Sequence, residues 1–216
     1  MNFPITQTFN TFQNPYEILD MAKKMSYKKN GSYPGVRTDS LHELEFDFWL
    51  SYCRKILRLF YSYEELEKLD FNAQSHFQKI VKDDVDNNLH WVHKDFTSKL
   101  TVVTYLTDNI DCGTSFFLPK KTGALIKDDE IKRKYYNGKQ VDIEEYRNKL
   151  ITNNNQFYNV SKIQSVFNST VMFDGCYPHT QFLDGLKDGE ERYTMITFFY
   201  DIVAPRYPVA EMNRVI

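Results

Sequence analysis

The order of patterns along the 216 residues predicts either an α+β fold or an all-β barrel or sandwich with helices at its N-terminus. Two helical patterns precede residue 70, and short patterns rich in β-branched and aromatic residues follow it. Aromatic residues make up 16% of the chain, which is typical of strands and broad core faces. A chain of this length can bury one sizeable core. We therefore expect a single domain over 1–216, with a mainly β core and a helical N-terminal support over 1–70.

The N-terminal part contains two helix signals separated by a loop. Pro15 occupies a tolerated first-turn position of a helix that we expect to extend to about Tyr27. The loop KKNGSYPGVRTD is dense in turn-forming residues. Ser40 and Glu43 have the spacing of a capping box, which predicts a helix from there to about Tyr61. The wide apolar stripe of this second helix predicts that it lies against a sheet.

Strand patterns begin near residue 71 and continue almost to the C-terminus. They are FNAQSHFQKIV, LTVVTYLT, GTSFFLP, STVMF and RYTMITFFYDIV. A charged stretch over 119–159 separates the third pattern from the fourth and has one helix signal, from Asp142 through Glu145 to Leu150. An insertion of this length between strands usually forms a lid or a segment that contacts substrate, and more rarely a disordered linker.

Charge and cysteine content exclude several classes of function. Lys and Arg number 27 against 29 Asp and Glu, so no basic excess favours duplex nucleic acid as a partner. Three cysteines without metal-finger spacing indicate reduced thiols, and hence the cytoplasm. The N-terminus lacks the pattern of a signal peptide, and no apolar run approaches about 18 residues, so we expect no membrane partner.

A candidate metal site includes His93, one of five histidines in the chain, and Asp95, which follows it by two residues. Side chains two positions apart at a strand end project to the same side. Two histidines and one carboxylate on one octahedral face leave three positions open, as in non-haem Fe(II) sites. This pattern alone is a weak signal in a chain rich in Asp. His179, just after an apolar strand and a turn, is the candidate third ligand, and its plain alternative is a loop or core histidine.

Arg192 opens the last strand, 13 residues after His179 (192 − 179). An arginine at the start of an otherwise apolar strand points either to the rim or into the core, where an unpaired guanidinium is costly. Inward placement therefore requires an anionic partner, for which the planar guanidinium offers a bidentate fork. Thr194 should face the same way. The alternative for Arg192 is an ion pair at the surface.

The order of these motifs resembles the 2-oxoglutarate/Fe(II) oxygenase superfamily, and within it the prolyl-hydroxylase-like branch. HxD, TVVTYLT, CGTSFFLP, VMFDGCYPH and RYTMITFFYD occur in the order expected, from about residue 71 to residue 201. The resemblance implies a double-stranded β-helix, a cupin-like jelly-roll barrel flanked by helices, over 71–203 with the insertion 119–159. Its departures include a longer gap between the last histidine and the arginine than in many relatives.

The resemblance also implies roles for individual residues. His93, Asp95 and His179 would be the metal ligands, and Arg192 with Thr194 would bind the distal carboxylate of 2-oxoglutarate. Further site residues are implied less directly, because each has a plain structural alternative in the core or at the surface: Tyr105 beside that carboxylate, and Trp91, Phe116 and Arg37 around the substrate pocket.

The implied activity is that of a hydroxylase that uses Fe(II), 2-oxoglutarate and O2, with ascorbate as an optional reductant. Oxidative decarboxylation would be coupled to oxidation of a substrate C–H bond. The substrate stays open among peptidyl prolyl or other side chains, a free amino acid, a modified nucleobase and other small molecules. The segment YPGVR with HWVHKD also resembles uncharacterised phage and marine bacterial proteins, which would place the chain in the host cytoplasm if it is viral. Two alternatives are a jelly-roll binding or structural module without turnover and a cupin-like metalloenzyme that does not use 2-oxoglutarate.

Overall fold

Two antiparallel sheets form the centre of the protein in a computed structural model, which describes residues 4–29, 33–82, 91–121, 130–136 and 139–211. The larger sheet has six strands in the order β1-β7-β4-β9-β3-β2, and the smaller has the order β6-β5-β8. The strands are β1 (Ile5–Thr8), β2 (Val36–Arg37), β3 (Asp70–Val81), β4 (Leu100–Tyr105), β5 (Asn109–Pro119), β6 (Phe157–Ser165), β7 (Ser169–Phe173), β8 (His179–Phe182) and β9 (Glu191–Val203). The result is a mixed α/β fold, in which helices precede most of the strands.

Six helices accompany the sheets in the described residues. They are α1 (Pro15–Lys24), α2 (Leu41–Leu44), α3 (Phe46–Leu57), α4 (Tyr63–Glu67), α5 (Glu130–Tyr136) and α6 (Ile143–Asn154). None of these is long and apolar enough to cross a membrane. The first three contribute to the main hydrophobic cluster together with residues of β3, β4 and β9, so the N-terminal helices cover one face of the larger sheet. The predicted packing of the helical region against a sheet is therefore confirmed.

The two faces of β9 show how the sequence separates this helical core from the rest. Side chains alternate between the faces of a strand. Tyr193, Met195 and Phe199 belong to the cluster beneath the helices. The alternate positions line a cavity on the opposite face: Arg192, Thr194, Ile196 and Phe198. Residues of β5 and β8 line the same cavity, so it lies between the two sheets.

The single helix expected from Ser40 to Tyr61 is wrong, because the chain breaks at Glu45 into α2 and α3. Glu45 has φ −143° and ψ 61°, and its side chain is exposed. A continuous helix would place it on the buried stripe, four residues from both Leu41 and Trp49. Burying an unpaired carboxylate is costly, which accounts for the break.

The predicted capping box is also wrong, since Ser40 makes no side-chain capping bond. A complete capping box occurs instead at α4, where Ser62 Oγ accepts from the backbone N–H of Glu65 at 3.3 Å. The Glu65 carboxylate in turn accepts from the backbone N–H of Ser62 at 2.7 Å. The same S-x-x-E spacing therefore forms a capping box at Ser62 and does not form one at Ser40.

The segment between β5 and β6 carries α5 and α6. The expected helix near Asp142 is confirmed, with the Asp142 carboxylate accepting from the backbone N–H groups of Glu144 and Glu145. Residues 122–129 and 137–138 of the predicted insertion lie outside the described residues, as do 30–32 of the predicted N-terminal loop. Both helices pack on Trp91 through a small hydrophobic cluster. The insertion therefore borders the segment that leads into the metal-binding motif.

Candidate metal centre and adjoining cavity

His93 and His179 face each other across an antiparallel backbone bridge. The N–H of each donates to the carbonyl of the other at 2.9 Å, and their ring centroids lie 4.4 Å apart. His179 begins β8 and is 6% exposed, whereas His93 lies outside any extended strand. The bridge brings together two histidines that are 86 residues apart in the chain (179 − 93).

Both histidine rings are oriented by main-chain carbonyls. The Nδ1 of His93 lies 3.0 Å from the carbonyl oxygen of Trp91, and that of His179 lies 2.8 Å from the carbonyl oxygen of Tyr177. Because a carbonyl only accepts, Nδ1 is assigned the proton in both rings. This leaves the Nε2 lone pair of each ring available to a metal ion, in the arrangement that metal-binding histidines usually have.

Asp95 completes the cluster. Its carboxylate oxygens lie 3.9 Å from Nε2 of His93 and 3.4 Å from Nε2 of His179. One ligand atom from each of the three residues can be chosen so that all lie within 4.8 Å of one another. The hydroxyl of Thr101 donates to Asp95 Oδ2 at 3.1 Å, which fixes the carboxylate from β4. Three ligands from two chain segments therefore converge on one point.

A close turn holds the aspartate in place. The backbone N–H of Asp95 donates to the carbonyl of Gly175 at 2.7 Å. A Cβ on Gly175 would lie 2.6 Å from the carbonyl oxygen of Asp95 and closer still to that of Ser98. Only glycine fits this approach without displacing backbone.

The electrostatics of the cluster favour the metal-binding protonation states. Burial, helped by the neighbouring His179, holds the pKa of His93 well below its usual value. Burial alone would raise the pKa of Asp95, but the two histidines and Thr101 outweigh it and hold that pKa below its usual value. A neutral imidazole and an ionised carboxylate are the forms that bind a metal ion.

A buried basic group lies in the same cavity. Arg192 is 3% exposed, and its guanidinium carbon lies 5.4 Å from the centre of the Tyr105 ring. Its Nε and the hydroxyl of Thr194 are buried, and neither has a hydrogen-bond partner among the described residues. Burial lowers the pKa of Arg192. Tyr105 bonds to Thr114 through their hydroxyls at 2.7 Å. Unsatisfied donors of this kind fit the carboxylate of a bound molecule, since leaving them unpaired is costly.

The remaining predicted pocket residues separate into two groups. Trp91 and Arg37 line the cavity. Phe116 does not line it and packs instead against Phe173 and Tyr177, with ring centroids at 4.9 and 5.6 Å. Phe116 is therefore an ordinary residue of the hydrophobic core. Tyr105 does not line the cavity either and lies in the same hydrophobic cluster as Phe116, next to Arg192. The structure brings the remaining predicted residues to the metal cluster or the cavity.

Sequence reasoning missed two residues that position the aspartate. Thr101 shares a face of β4 with Val103, which also lines the cavity, so the alternation of the strand contained the signal. Gly175 lies in the turn between the apolar strand and His179, where a glycine marks a close backbone approach. The sequence alone does not predict that either residue contacts Asp95, because both contacts depend on the tertiary structure.

Comparison with solved structures identifies the fold. The α-ketoglutarate-dependent epimerase SnoN of nogalamycin biosynthesis matches with a TM-score of 0.54 and 14% identity, over 97% of this chain and 84% of SnoN. A 2OG-Fe(II) oxygenase family protein from Burkholderia pseudomallei matches with a TM-score of 0.53 and 8% identity, over 95% and 86%. HygX from Streptomyces hygroscopicus matches with a TM-score of 0.52 and 9% identity, over 92% and 83%. The chain therefore has the fold of 2-oxoglutarate/Fe(II) oxygenases, and at these identities the likeness extends to the fold alone.

Sequence comparison gives a family without a known activity. No curated protein matches the chain. One family model matches residues 4–188, which include the HxD motif and His179. The chain belongs to DUF6445, a family of unknown function.

Proposed function

We propose that this protein is an Fe(II)- and 2-oxoglutarate-dependent dioxygenase. In this proposal His93, Asp95 and His179 hold one ferrous ion, and Arg192 with Thr194 binds the distal carboxylate of 2-oxoglutarate. Bound iron and 2-oxoglutarate would supply oxidative decarboxylation coupled to oxidation of a substrate C–H bond, with hydroxylation as the default outcome. The protein's own residues bind, orient and shield these groups.

One observation carries the proposal: a His-Asp-His cluster and unsatisfied basic donors line the same cavity. The ligand atoms lie within 4.8 Å of one another, and in the described part of the chain the Nε of Arg192 and the hydroxyl of Thr194 are buried without partners. A three-residue face leaves room on an octahedral ion for a bidentate ligand and O2. A guanidinium then pairs with the remote carboxylate of that ligand through two parallel hydrogen bonds.

Tyr105 has a supporting place in this proposal. Its ring faces the Arg192 guanidinium at 5.4 Å, and its hydroxyl is held by Thr114. We assign it to the wall of the carboxylate site, where it orients the arginine through a cation–π contact.

The structural relatives support the choice of metal and cosubstrate. SnoN has been seen with Fe3+, α-ketoglutarate and nogalamycin RO, and HygX with nickel, 2-oxoglutarate and hygromycin B. The second molecule in each complex is a small molecule, which favours that class of substrate over a peptidyl side chain for the present protein.

The test is anaerobic mixing of the metal-free protein with Fe(II) and 2-oxoglutarate. We expect the metal-to-ligand charge-transfer band of a chelated 2-oxoglutarate, followed by succinate formation when air is admitted. The His179→Ala variant should lose both signals. The matched control is His42→Ala, which removes a histidine located on α2, away from the cavity.

The outcomes separate the proposal from its two alternatives. A protein that binds the metal but gives neither band nor succinate is a module without turnover. A protein that oxidises substrate without 2-oxoglutarate is a cupin-like metalloenzyme. Survival of both signals in His179→Ala would remove this residue from the site.

A further inference from the structure

Arg37 is a second cationic residue of the cavity and lies on the edge strand β2 of the sheet, two strands away from β9, which carries Arg192. Its Cα partner across β2 and β3 is Gln78, and the partner of Gln78 across β3 and β9 is Thr194. Adjacent strands lie about 4.8 Å apart, so Arg37 and Thr194 are separated by roughly 10 Å across the sheet. A molecule bound at Arg192 and Thr194 therefore leaves the Arg37 side of the cavity available.

The Arg37 guanidinium is held in a fixed orientation at the metal end of the cavity. Its carbon lies 3.8 Å from the Tyr33 ring centre and 5.6 Å from that of Phe198. Its Nε donates to Gln78 Oε1 at 3.2 Å, and Gln78 in turn donates to the carbonyl of Pro34 at 2.6 Å. Stacking and this hydrogen bond fix the plane of the fork and leave its terminal amino groups to bind a planar anion.

The position of Phe198 shows that this fork reaches toward the metal cluster. Phe198 is the register partner of Thr101 on β4, and Thr101 bonds to the carboxylate of Asp95. Arg192 lies six residues back along β9 (198 − 192), which is about 20 Å of strand. Along β9, Arg37 therefore lies near the level of the metal cluster, whereas Arg192 lies toward the other end of the cavity.

No carboxylate in the described part of the chain lies within ion-pair distance of Arg37. Asp95 acts on Arg37 only through its longer-range field, and burial lowers the pKa of Arg37 to about 10. The side chain is therefore still cationic at neutral pH. A largely buried cation without a counter-ion is costly unless a ligand supplies one.

The charge balance of the cavity with Fe(II) and 2-oxoglutarate bound also favours an anionic substrate. The two positive charges of Fe(II) and the one of Arg192 balance the one negative charge of Asp95 and the two of 2-oxoglutarate. Among the described residues that line the cavity, no further carboxylate remains to balance the charge of Arg37. One anionic group on the second substrate would neutralise Arg37.

We infer that the primary substrate is a small carboxylic acid whose carboxylate binds the Arg37 fork while its oxidised carbon faces the metal. This inference rests on the proposed function and specifies the substrate class of that same site. Arg37 is a specificity-determining residue in this account, because it accepts an acid and leaves a desolvated charge unpaired when a neutral analogue is bound.

The test compares a pool of small carboxylic acids (aliphatic, aromatic and N-acylated amino acids) with the matched pool of their methyl esters. Each pool is added to the Fe(II)-loaded protein with 2-oxoglutarate and O2, and succinate formed above the rate without added compound is measured. We expect stimulation by the acids and not by the esters. Arg37→Gln should raise the acid concentration for half-maximal stimulation by about 30-fold, the usual effect of removing one partner of a buried charge pair.

Two further variants complete the design. Arg37→Lys keeps the charge but loses the fork, so we expect an intermediate response. Arg58→Gln removes an exposed arginine of the helical region and should respond like the parent protein. The comparison of acids with esters needs no variant, so the inference can be tested even if substitution of Arg37 impairs folding.

The charge-transfer band with Fe(II) and 2-oxoglutarate is recorded in every sample. Its absence from the parent protein would overturn the proposed function, and this inference with it. If the band forms, stimulation by esters as strong as by acids, stimulation by neither pool, or an unchanged acid response in Arg37→Gln overturns the substrate inference alone.

Discussion

Replacing Arg192 with methionine should act in opposite directions on the free and on the loaded protein. Methionine has a similar length and no charge. In the free protein the Nε of Arg192 is buried and has no partner among the residues that the structure describes, which costs about 1–3 kcal/mol. The contact with the Tyr105 ring offsets about 0.5–2 kcal/mol of this cost. The variant should therefore be more stable than the parent by about 1 kcal/mol when metal and 2-oxoglutarate are absent.

In the presence of Fe(II) and 2-oxoglutarate, the same substitution should be unfavourable, because it weakens the binding of 2-oxoglutarate. Removal of one partner of a buried charge-assisted pair costs about 2–5 kcal/mol, which is a loss of about 30-fold or more in affinity for 2-oxoglutarate. Urea unfolding of the metal-free proteins measures the first effect. Anaerobic titration calorimetry of 2-oxoglutarate into the Fe(II)-loaded proteins measures the second, with the exposed Arg58→Met as control. A variant that is less stable than the parent and binds 2-oxoglutarate with unchanged affinity would refute the assignment.

Three further substitutions test the supports of the site and of the helical region. Thr101→Val removes the hydroxyl that donates to the aspartate ligand, so we expect a 10- to 100-fold loss of Fe(II) affinity (about the usual effect of such a change) in a competition assay with a chromogenic chelator. Gly175→Ala should lower both the Fe(II) affinity and the free energy of unfolding by about 2 kcal/mol or more, because the new Cβ meets backbone atoms. Gly189→Ala meets no atom within 4 Å and, with φ +77°, should cost only about 1 kcal/mol of stability; equal effects at the two glycines would contradict the close approach. Ser62→Ala should lower the free energy of unfolding by about 1 kcal/mol and Ser40→Ala should leave it nearly unchanged, since only the first serine caps a helix; urea unfolding compares the two.

Those two serines also show where local sequence stops being informative. Both begin an S-x-x-E pattern, and nothing in four residues distinguishes them. Ser40 is 8% exposed and precedes a helix that ends after one turn, because Glu45 would otherwise enter the buried stripe. The exposed Ser62 is free to adopt the capping geometry. Tertiary burial, which no short window contains, decides between them.

The strands also differ in how well their own residues predict them. β4 and β9 were predicted from their own composition, because β-branched and aromatic residues fill both faces of a central strand. The strands β1, β2, β6 and β8 were missed. β8 has four residues, and β6 presents mostly exposed or half-buried positions, so neither has a strong apolar signal. Their pairing with longer neighbours makes them strands, and that pairing is non-local.

The candidate site required more than periodicity. The HxD pattern was weak by itself, and His179 gained its place from a resemblance to a family rather than from spacing. In the structure a backbone bridge between His93 and His179 supplies what the sequence lacked, since it fixes two distant segments to one another. The residues alone left Arg192 open between the rim and the core, and the resemblance favoured the core. Its unsatisfied Nε among the described residues is the structural counterpart of the anion that an inward guanidinium needs.

The two ends of the cavity are tied together by sheet register rather than by loops. Tyr105 pairs with Thr194 at the end that faces Arg192, and Thr101 pairs with Phe198 at the metal end, so one antiparallel ladder between β4 and β9 sets the distance between them. A slip of one residue in this ladder would turn every cavity-facing side chain toward the helices. The described part of the insertion between β5 and β6 borders the site by packing on Trp91, and it contributes Lys132 to the lining of the cavity. The proposed placing of 2-oxoglutarate between Arg192 and the metal cluster therefore depends on the register of these two central strands.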